Sequence, residues 1–232
     1  MVVRVAEQAK RSGAARVVIA TDCAEILDRV TREGFEALLT RADHPSGTDR
    51  IAEVTQQLRA ASSQIIVNVQ GDEPFIDPKL IGEVAQALDN DPDASVSTAA
   101  SPIVDPEQIC NPNVVKVVTN ARAHALYFSR APIPFQRDLW SSLPDIATST
   151  MSPMMAGLMR HIGIYAYRAS ALKTFVTWTS CPIEHAEQLE QLRWLWHGHA
   201  IGVHRTAQTP HGGIDTPQDL IQAQKHWASL KS

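Results

Sequence analysis

Gln64-Ile65-Ile66-Val67-Asn68-Val69-Gln70 runs directly into Gly71-Asp72-Glu73-Pro74, and this stretch decides the fold class. Its near-continuous β-branched run is the pattern of a strand buried on both faces, as in parallel sheets. Gly71 lets the chain turn tightly and lets a ligand approach the backbone. Asp72 and Glu73 then stand at the carboxyl end of the strand, where open α/β sheets bind their ligands. Hard carboxylate oxygens in such a place suit Mg²⁺ shared with substrate phosphates. A plain turn accounts for the same residues equally well.

Outward from this stretch, strand and helix alternate. Arg16-Val-Val-Ile-Ala-Thr21 reads as a second buried strand and residues 35–40 as a third, with 94–100 following later. Helices are expected over 1–12, where Val2, Val5, Ala6 and Ala9 share a face and Gly13 stops the run, and over 24–32, 48–60 and 78–89. Alternation of this kind means right-handed crossovers and a mostly parallel sheet with helices on both faces. The second half changes character: 114–118, 125–129 and 161–167 read as strands without helices between them, hence antiparallel additions or a dimer arm. Residues 137–156, rich in Ser, Pro, Thr and Met, read as a mobile loop. Helices over 183–197 and 217–229 flank a last strand at 200–205.

The 232 residues are 44% hydrophobic and fit one domain spanning 1–232, since a chain this long buries about 70 to 75% of its unfolded surface without disulfides or metal. Lys plus Arg number 21 against 25 Asp plus Glu, a net charge of −4, which disfavours nucleic acid as a partner. A few local Arg or Lys side chains still suffice for a small phosphorylated substrate. Cys23, Cys110 and Cys181 are odd in number and far apart, so a reducing cytoplasm is expected rather than a disulfide framework or zinc knuckle. No apolar run reaches the ~20 residues of a membrane span, and no signal peptide is evident.

Several segments could carry chemistry. His44-Pro-Ser46-Gly-Thr48-Asp-Arg50 enters a helix that Ser46 can cap, and its first free N–H groups with Arg50 could receive an anion; a simple capped start explains it too. In Gly213-Ile-Asp215-Thr216-Pro-Gln-Asp219, capping accounts for Thr216, Pro217 and Asp219 and leaves Asp215 free as a second metal ligand. Arg160-His161-Ile-Gly-Ile-Tyr165-Ala-Tyr167 puts His161, Gly163, Tyr165 and Tyr167 on one face, either structural or polyol-binding. Glu184 to Arg193 reads first as a solvated helix face, with Glu190 and Arg193 three apart. His197, His199, His204 and His211 match no zinc spacing. Arg130, where a strand meets a proline-stiffened loop, has the planar fork that grips carboxylates.

Taken in order, RADHPSGTDR (41–50), VNVQGDEP (67–74), NPNVVKVV (111–118), ALYFSRAPIP (125–134), RHIGIYAYR (160–168), EHAEQLEQLRWLW (184–196) and GIDTPQDL (213–220) resemble the 3-deoxy-manno-octulosonate cytidylyltransferase family, the CMP-Kdo synthetases. The resemblance implies a Rossmann-like nucleotidyltransferase fold. It implies the reaction of CTP with Kdo to give CMP-Kdo and pyrophosphate, with Mg²⁺, for lipopolysaccharide biosynthesis in a cytoplasmic homodimer. Residues 111–170 would form the dimerisation and sugar-binding portion. By motif match, Asp72 and Asp215 are the catalytic metal carboxylates; Thr48, Arg50, Gln70, Gly71 and Asp72 meet the nucleotide; Gln70, Arg130, His161, Tyr165, Glu190 and Gln191 meet Kdo. Family members also begin with a strand and an R-x-x-S-x-R-L-P-G-K loop that holds the triphosphate, whereas Met1 to Val5 match the helix after it. That departure keeps a non-catalytic homologue as one alternative; a cytidylyltransferase for another acidic sugar, such as a sialic acid, is the other.

Overall fold

The computed structural model describes residues 1–137, 140, 157–207, 213–214 and 216–229. In chain order the elements are α1 (Val2–Arg11), β1 (Val18–Thr21), α2 (Ala24–Arg32), β2 (Glu36–Leu39), α3 (Gly47–Gln57), β3 (Ile65–Asn68), α4 (Pro78–Asp89), β4 (Ala94–Pro102), α5 (Glu107–Cys110), β5 (Lys116–Thr119), β6 (Ala125–Ser129), β7 (Met159–Arg168), α6 (Ala169–Phe175), α7 (Pro182–Glu187), α8 (Leu192–Trp196), β8 (Ala200–Arg205) and α9 (Pro217–Ser229). The expected caps form. Ser46 accepts the Asp49 N–H at the start of α3, and Thr216 exchanges hydrogen bonds with Asp219 before α9. Gly34, at φ +80°, follows the end of α2 in a conformation that only glycine adopts without strain.

Two compact units result: Met1–Thr40 with Val69–Gly82 and Pro210–Ser232, and Arg41–Asn68 with Glu83–Thr209. In the first, β1 and β2 pair in parallel from Val18↔Glu36 to Thr21↔Leu39. Ala6 of α1, Ile19 of β1 and Val30 of α2 form its small core, with Val2, Val3, Phe35 and Ala37 packed against it.

In the second unit β7 organises the sheet. It pairs antiparallel with β4 from Val96↔Tyr167 to Pro102↔Met159, and along its other edge with β3 and β5. β8 joins β4 in parallel and β6 joins β5 antiparallel. Hence β3, β4, β5 and β8 run one way, and β6 and β7 the other. The α/β class and the antiparallel additions stand. The expected mostly parallel arrangement survives as strand direction, but among the described strands only β1–β2 and β4–β8 are parallel neighbours. The reason is that β7 inserts between β3 and β4 and takes both edges, and alternation of helix and strand dictates direction rather than adjacency.

Two other readings change. The helix expected over 183–197 breaks, because Gln188 turns left-handed at φ 53° and α8 resumes only at Leu192. Trp140, within the segment read as a loop, is buried with Ile103, Ile109 and Leu158; residues 138–139 and 141–156 lie outside the described residues. The main core of the second unit gathers Val96, Phe128, Leu172, Phe175, Leu192, Trp194 and Ile201, each large side chain contributing roughly 1.5 to 3 kcal/mol by leaving water. Among the described residues no helix is long and apolar enough to cross a membrane.

Candidate active site

The first unit carries one candidate cluster, the acidic turn at Asp72. The Glu73 N–H donates to the Gln70 carbonyl at 3.3 Å, closing the turn that the glycine allows. Gln70 and Gly71 are exposed and Asp72 is half-buried. The Asp72 carbonyl accepts the Ile214 N–H at 3.0 Å, so the structure brings together two segments that are far apart in sequence. Asp215, the next residue, lies outside the described residues, as does His211. Among the described residues no group of three or more His, Cys, Asp or Glu side chains could hold a metal ion.

The second unit carries a separate candidate cluster, built on one face of β7. Strand alternation turns the buried Ile162, Ile164 and Ala166 to one face and His161, Tyr165 and Tyr167 to the other, where Tyr167 belongs to the main core cluster and Tyr165 packs against it. There the rings form a ladder. His161 meets Phe128 edge-on at 5.0 Å and Tyr165 at 5.4 Å, Tyr165 stacks on Tyr167 at 5.8 Å, and Tyr167 stacks on Trp194 at 6.0 Å. His161 Nε2 lies 3.0 Å from Thr98 Oγ1, whose own hydroxyl also reaches the Ile164 carbonyl at 2.7 Å. Thr98 donates to the closer carbonyl, so Nε2 is assigned the proton and donates to Thr98. Burial, with Arg160 nearby, pushes the His161 pKa down to about 3, leaving a neutral ring.

α3 and the α7–α8 link close in on this face. Thr48 is buried, with Oγ1 3.3 Å from the Tyr167 hydroxyl. Burial raises the pKa of Glu190; the hydroxyls of Thr48 and Ser46 and the charge of Arg193 oppose the shift, and Asp49 adds to it. Its Oε1 is enclosed without a hydrogen-bond partner, an acceptor that a substrate hydroxyl can satisfy. Gln191 beside it is buried. Thr48, Tyr165 and Glu190 are therefore brought together, and His161 adjoins Tyr165.

Arg130 has three of its N–H groups engaged within the chain. Nε donates to the Glu187 carbonyl at 2.7 Å, Nη1 to Pro112 at 2.8 Å and Nη2 to Gln188 at 3.3 Å. Those carbonyls include the ones left open where α7 ends, so Arg130 caps that end. Arg50 is half-buried, with Nη1 3.4 Å from the Arg41 carbonyl. The solvated face read at 184–193 is also corrected: Arg193 is buried and pairs with Glu184, Nε to Oε2 at 2.8 Å, because the break at Gln188 folds α8 back onto α7.

Comparison with known proteins now adds to this geometry. A family model described as Cytidylyltransferase matches residues 1–201. The chain belongs to the cytidylyltransferase family. It is also similar to a solved structure of CMP:2-keto-3-deoxy-manno-octonic acid synthetase complexed with CTP, at 35% identity and a TM-score of 0.86, covering 98% of this chain and 87% of that one. The nucleotidyltransferase fold expected from the ordered motifs is thus shown.

Residues of this cytidylyltransferase that sequence reading missed are the ones with distant partners. Lys116 is fully buried, its Nζ donating to the carbonyls of Asn111, Val114 and Arg130, and burial lowers its pKa to about 8. The charge inside NPNVVKVV was the available signal. His197 and His199 both pack on Trp178, His199 also meeting Ser95 at 2.9 Å, while His204 pairs with Glu83.

The neutral His161 gives the cytidylyltransferase a testable pH response. An unfolded His titrates near 6.5, so between that value and about 3 the unfolded chain binds the extra proton. The stability from the neutral ring is complete above pH ~6.5 and declines as pH falls. NMR of the ring carbons should show no titration of His161 from pH 8 to 5, and His161→Gln should flatten the loss of stability in acid. A His161 midpoint near 6.5 would contradict the burial argument.

Proposed function

We propose that this protein is a 3-deoxy-manno-octulosonate cytidylyltransferase, acting in the cytoplasm as a homodimer to activate Kdo for lipopolysaccharide synthesis. What carries the reading is the similarity, over 98% of this chain, to the CTP-complexed synthetase. The face formed by Thr48, Tyr165 and Glu190, with neutral His161 alongside, supports it, since a polyol is recognised by uncharged donors and enclosed acceptors. Residues 111–170 are taken as the sugar-binding and dimerisation portion. Gln191 joins Glu190 in holding hydroxyls, Arg130 addresses the sugar carboxylate with its remaining N–H groups, and Gln70, Gly71 and Arg50 address the nucleotide, the Thr48 hydroxyl being committed to Tyr167 and Glu190.

In the reaction the anomeric oxygen of Kdo attacks the α-phosphorus of CTP. The new P–O bond forms as the bond to pyrophosphate breaks, and the hydroxyl proton passes to solvent. The protein's residues hold the two reactants in line and exclude competing water. A divalent metal is typical of nucleotidyltransferases of this family, and we take it as Mg²⁺. Asp72, a half-buried carboxylate at a glycine turn, has the hard donor atoms that suit it, and Asp215 would be its second ligand. When bound, Mg²⁺ neutralises charge on the triphosphate and on the departing pyrophosphate.

Phosphorus NMR of the protein with CTP, Kdo and Mg²⁺ tests this reading. The expected result is a sugar-nucleotide diester resonance growing in step with pyrophosphate. CTP left intact by folded protein would overturn it.

A further inference from the structure

Tyr167 has no assigned part in the reaction, yet it is where the elements of the second-unit site meet. It is 2% exposed, and its ring lies between Tyr165 and Trp194, 5.8 and 6.0 Å away. Its hydroxyl reaches Thr48 Oγ1, in the first turn of α3, at 3.3 Å, and also bonds Asn68. Thr48 in turn bonds the carboxylate of Glu190. A single phenol therefore ties the start of α3 to the strand that carries His161 and Tyr165, through a hydroxyl 119 residues away in sequence. Stacking alone would be met by phenylalanine. The hydroxyl has to be explained separately, because a buried phenol is tolerated only with partners.

We propose that Tyr167 is a positioning residue for the transfer reaction. Its hydroxyl fixes the rotamer of Thr48, and Thr48 thereby holds the Glu190 carboxylate at the angle from which its unpartnered Oε1 receives a sugar hydroxyl. The proposal rests on the reading of this face as the acidic-sugar site. Removing the phenol oxygen frees Thr48 to rotate and leaves Glu190 less well oriented, so sugar binding suffers while the aromatic stack persists. Loss of one such hydrogen bond corresponds to a factor of about three to ten in affinity.

The test is the KM for each substrate in pyrophosphate release, for Tyr167→Phe, Thr48→Val and the double variant. Tyr167→Phe should raise the KM for Kdo about three- to tenfold and change the KM for CTP less than twofold. The double variant should be no worse than the poorer single one, because both break the same chain of bonds. Equal KM values with only a lower kcat, or single effects that multiply in the double variant, would overturn the proposal. Should Tyr167→Phe not fold, Thr48→Val decides: it removes the hydroxyl that Tyr167 meets and must raise the KM for Kdo about three- to tenfold, and a wild-type KM for Kdo overturns the proposal. A wild-type protein that does not turn over CTP and Kdo refutes the functional reading itself. An active wild type with an indifferent Tyr167→Phe refutes only this inference.

Discussion

Asp72→Asn should lower pyrophosphate release by at least about a hundredfold while leaving the fold intact. The side chain is half-buried, and what ties this turn to the chain near Ile214 is the Asp72 backbone carbonyl, which the substitution keeps. Asn has nearly the same shape but has lost the anionic oxygen that a hard cation requires. Losing one well-placed electrostatic element at a charged transition state removes a factor of about 10² to 10³ in rate. The variant's circular dichroism and melting curve should overlay the wild type, with the Mg²⁺ dependence of the residual rate weakened. Activity within about threefold of wild type, with normal dependence on the metal, would show that Asp72 is only a turn residue.

The largest expected effect on stability comes from Arg193→Met. Arg193 is 7% exposed and Glu184 9% exposed. Its guanidinium lies 4.5 Å over the Phe175 ring as well as pairing with Glu184. Met keeps much of the apolar stem but abandons the Glu184 carboxylate, which then keeps, among the described residues, the Cys181 N–H as its partner at 3.2 Å. Breaking a buried pair from one side costs about 3 to 5 kcal/mol, which lowers Tm by roughly 6 to 20 °C for a chain of this size. The double variant Glu184→Leu with Arg193→Met should recover part of that loss, since apolar replacement of both partners removes the stranded charge. A loss under about 1 kcal/mol would mean that the pair behaves as a solvated surface bridge.

These two sites show what the sequence could and could not reveal. The turn at Asp72 was legible because a β-branched run, a glycine and two carboxylates are consecutive, and the caps at Ser46 and Thr216 because their partners lie three residues away. The shared face of His161, Tyr165 and Tyr167 followed from period-two alternation alone. Arg193 was misread because helical spacing pointed to Glu190, and nothing local announced that Gln188 would turn left-handed and deliver Glu184 instead. The carbonyl partners of Arg130 were not legible because backbone carbonyls leave no trace in composition. The insertion of β7 between β3 and β4, the burial of Lys116 and the reach of Tyr167 to Thr48 all depend on pairings between distant segments. Local patterns dictate element type and direction; which elements become neighbours is decided by packing over the whole chain.

The measurement that tests the central claim most directly is pyrophosphate release from CTP with Kdo and with N-acetylneuraminic acid as competing acceptors, in Mg²⁺ and again with the metal chelated. A pocket built from hydrogen-bonding groups rejects a substrate that leaves them unpaired. The expected kcat/KM for Kdo is therefore at least about a hundredfold above that for the sialic acid, with no release without metal. Equal use of the two sugars, or preference for the sialic acid, would contradict it.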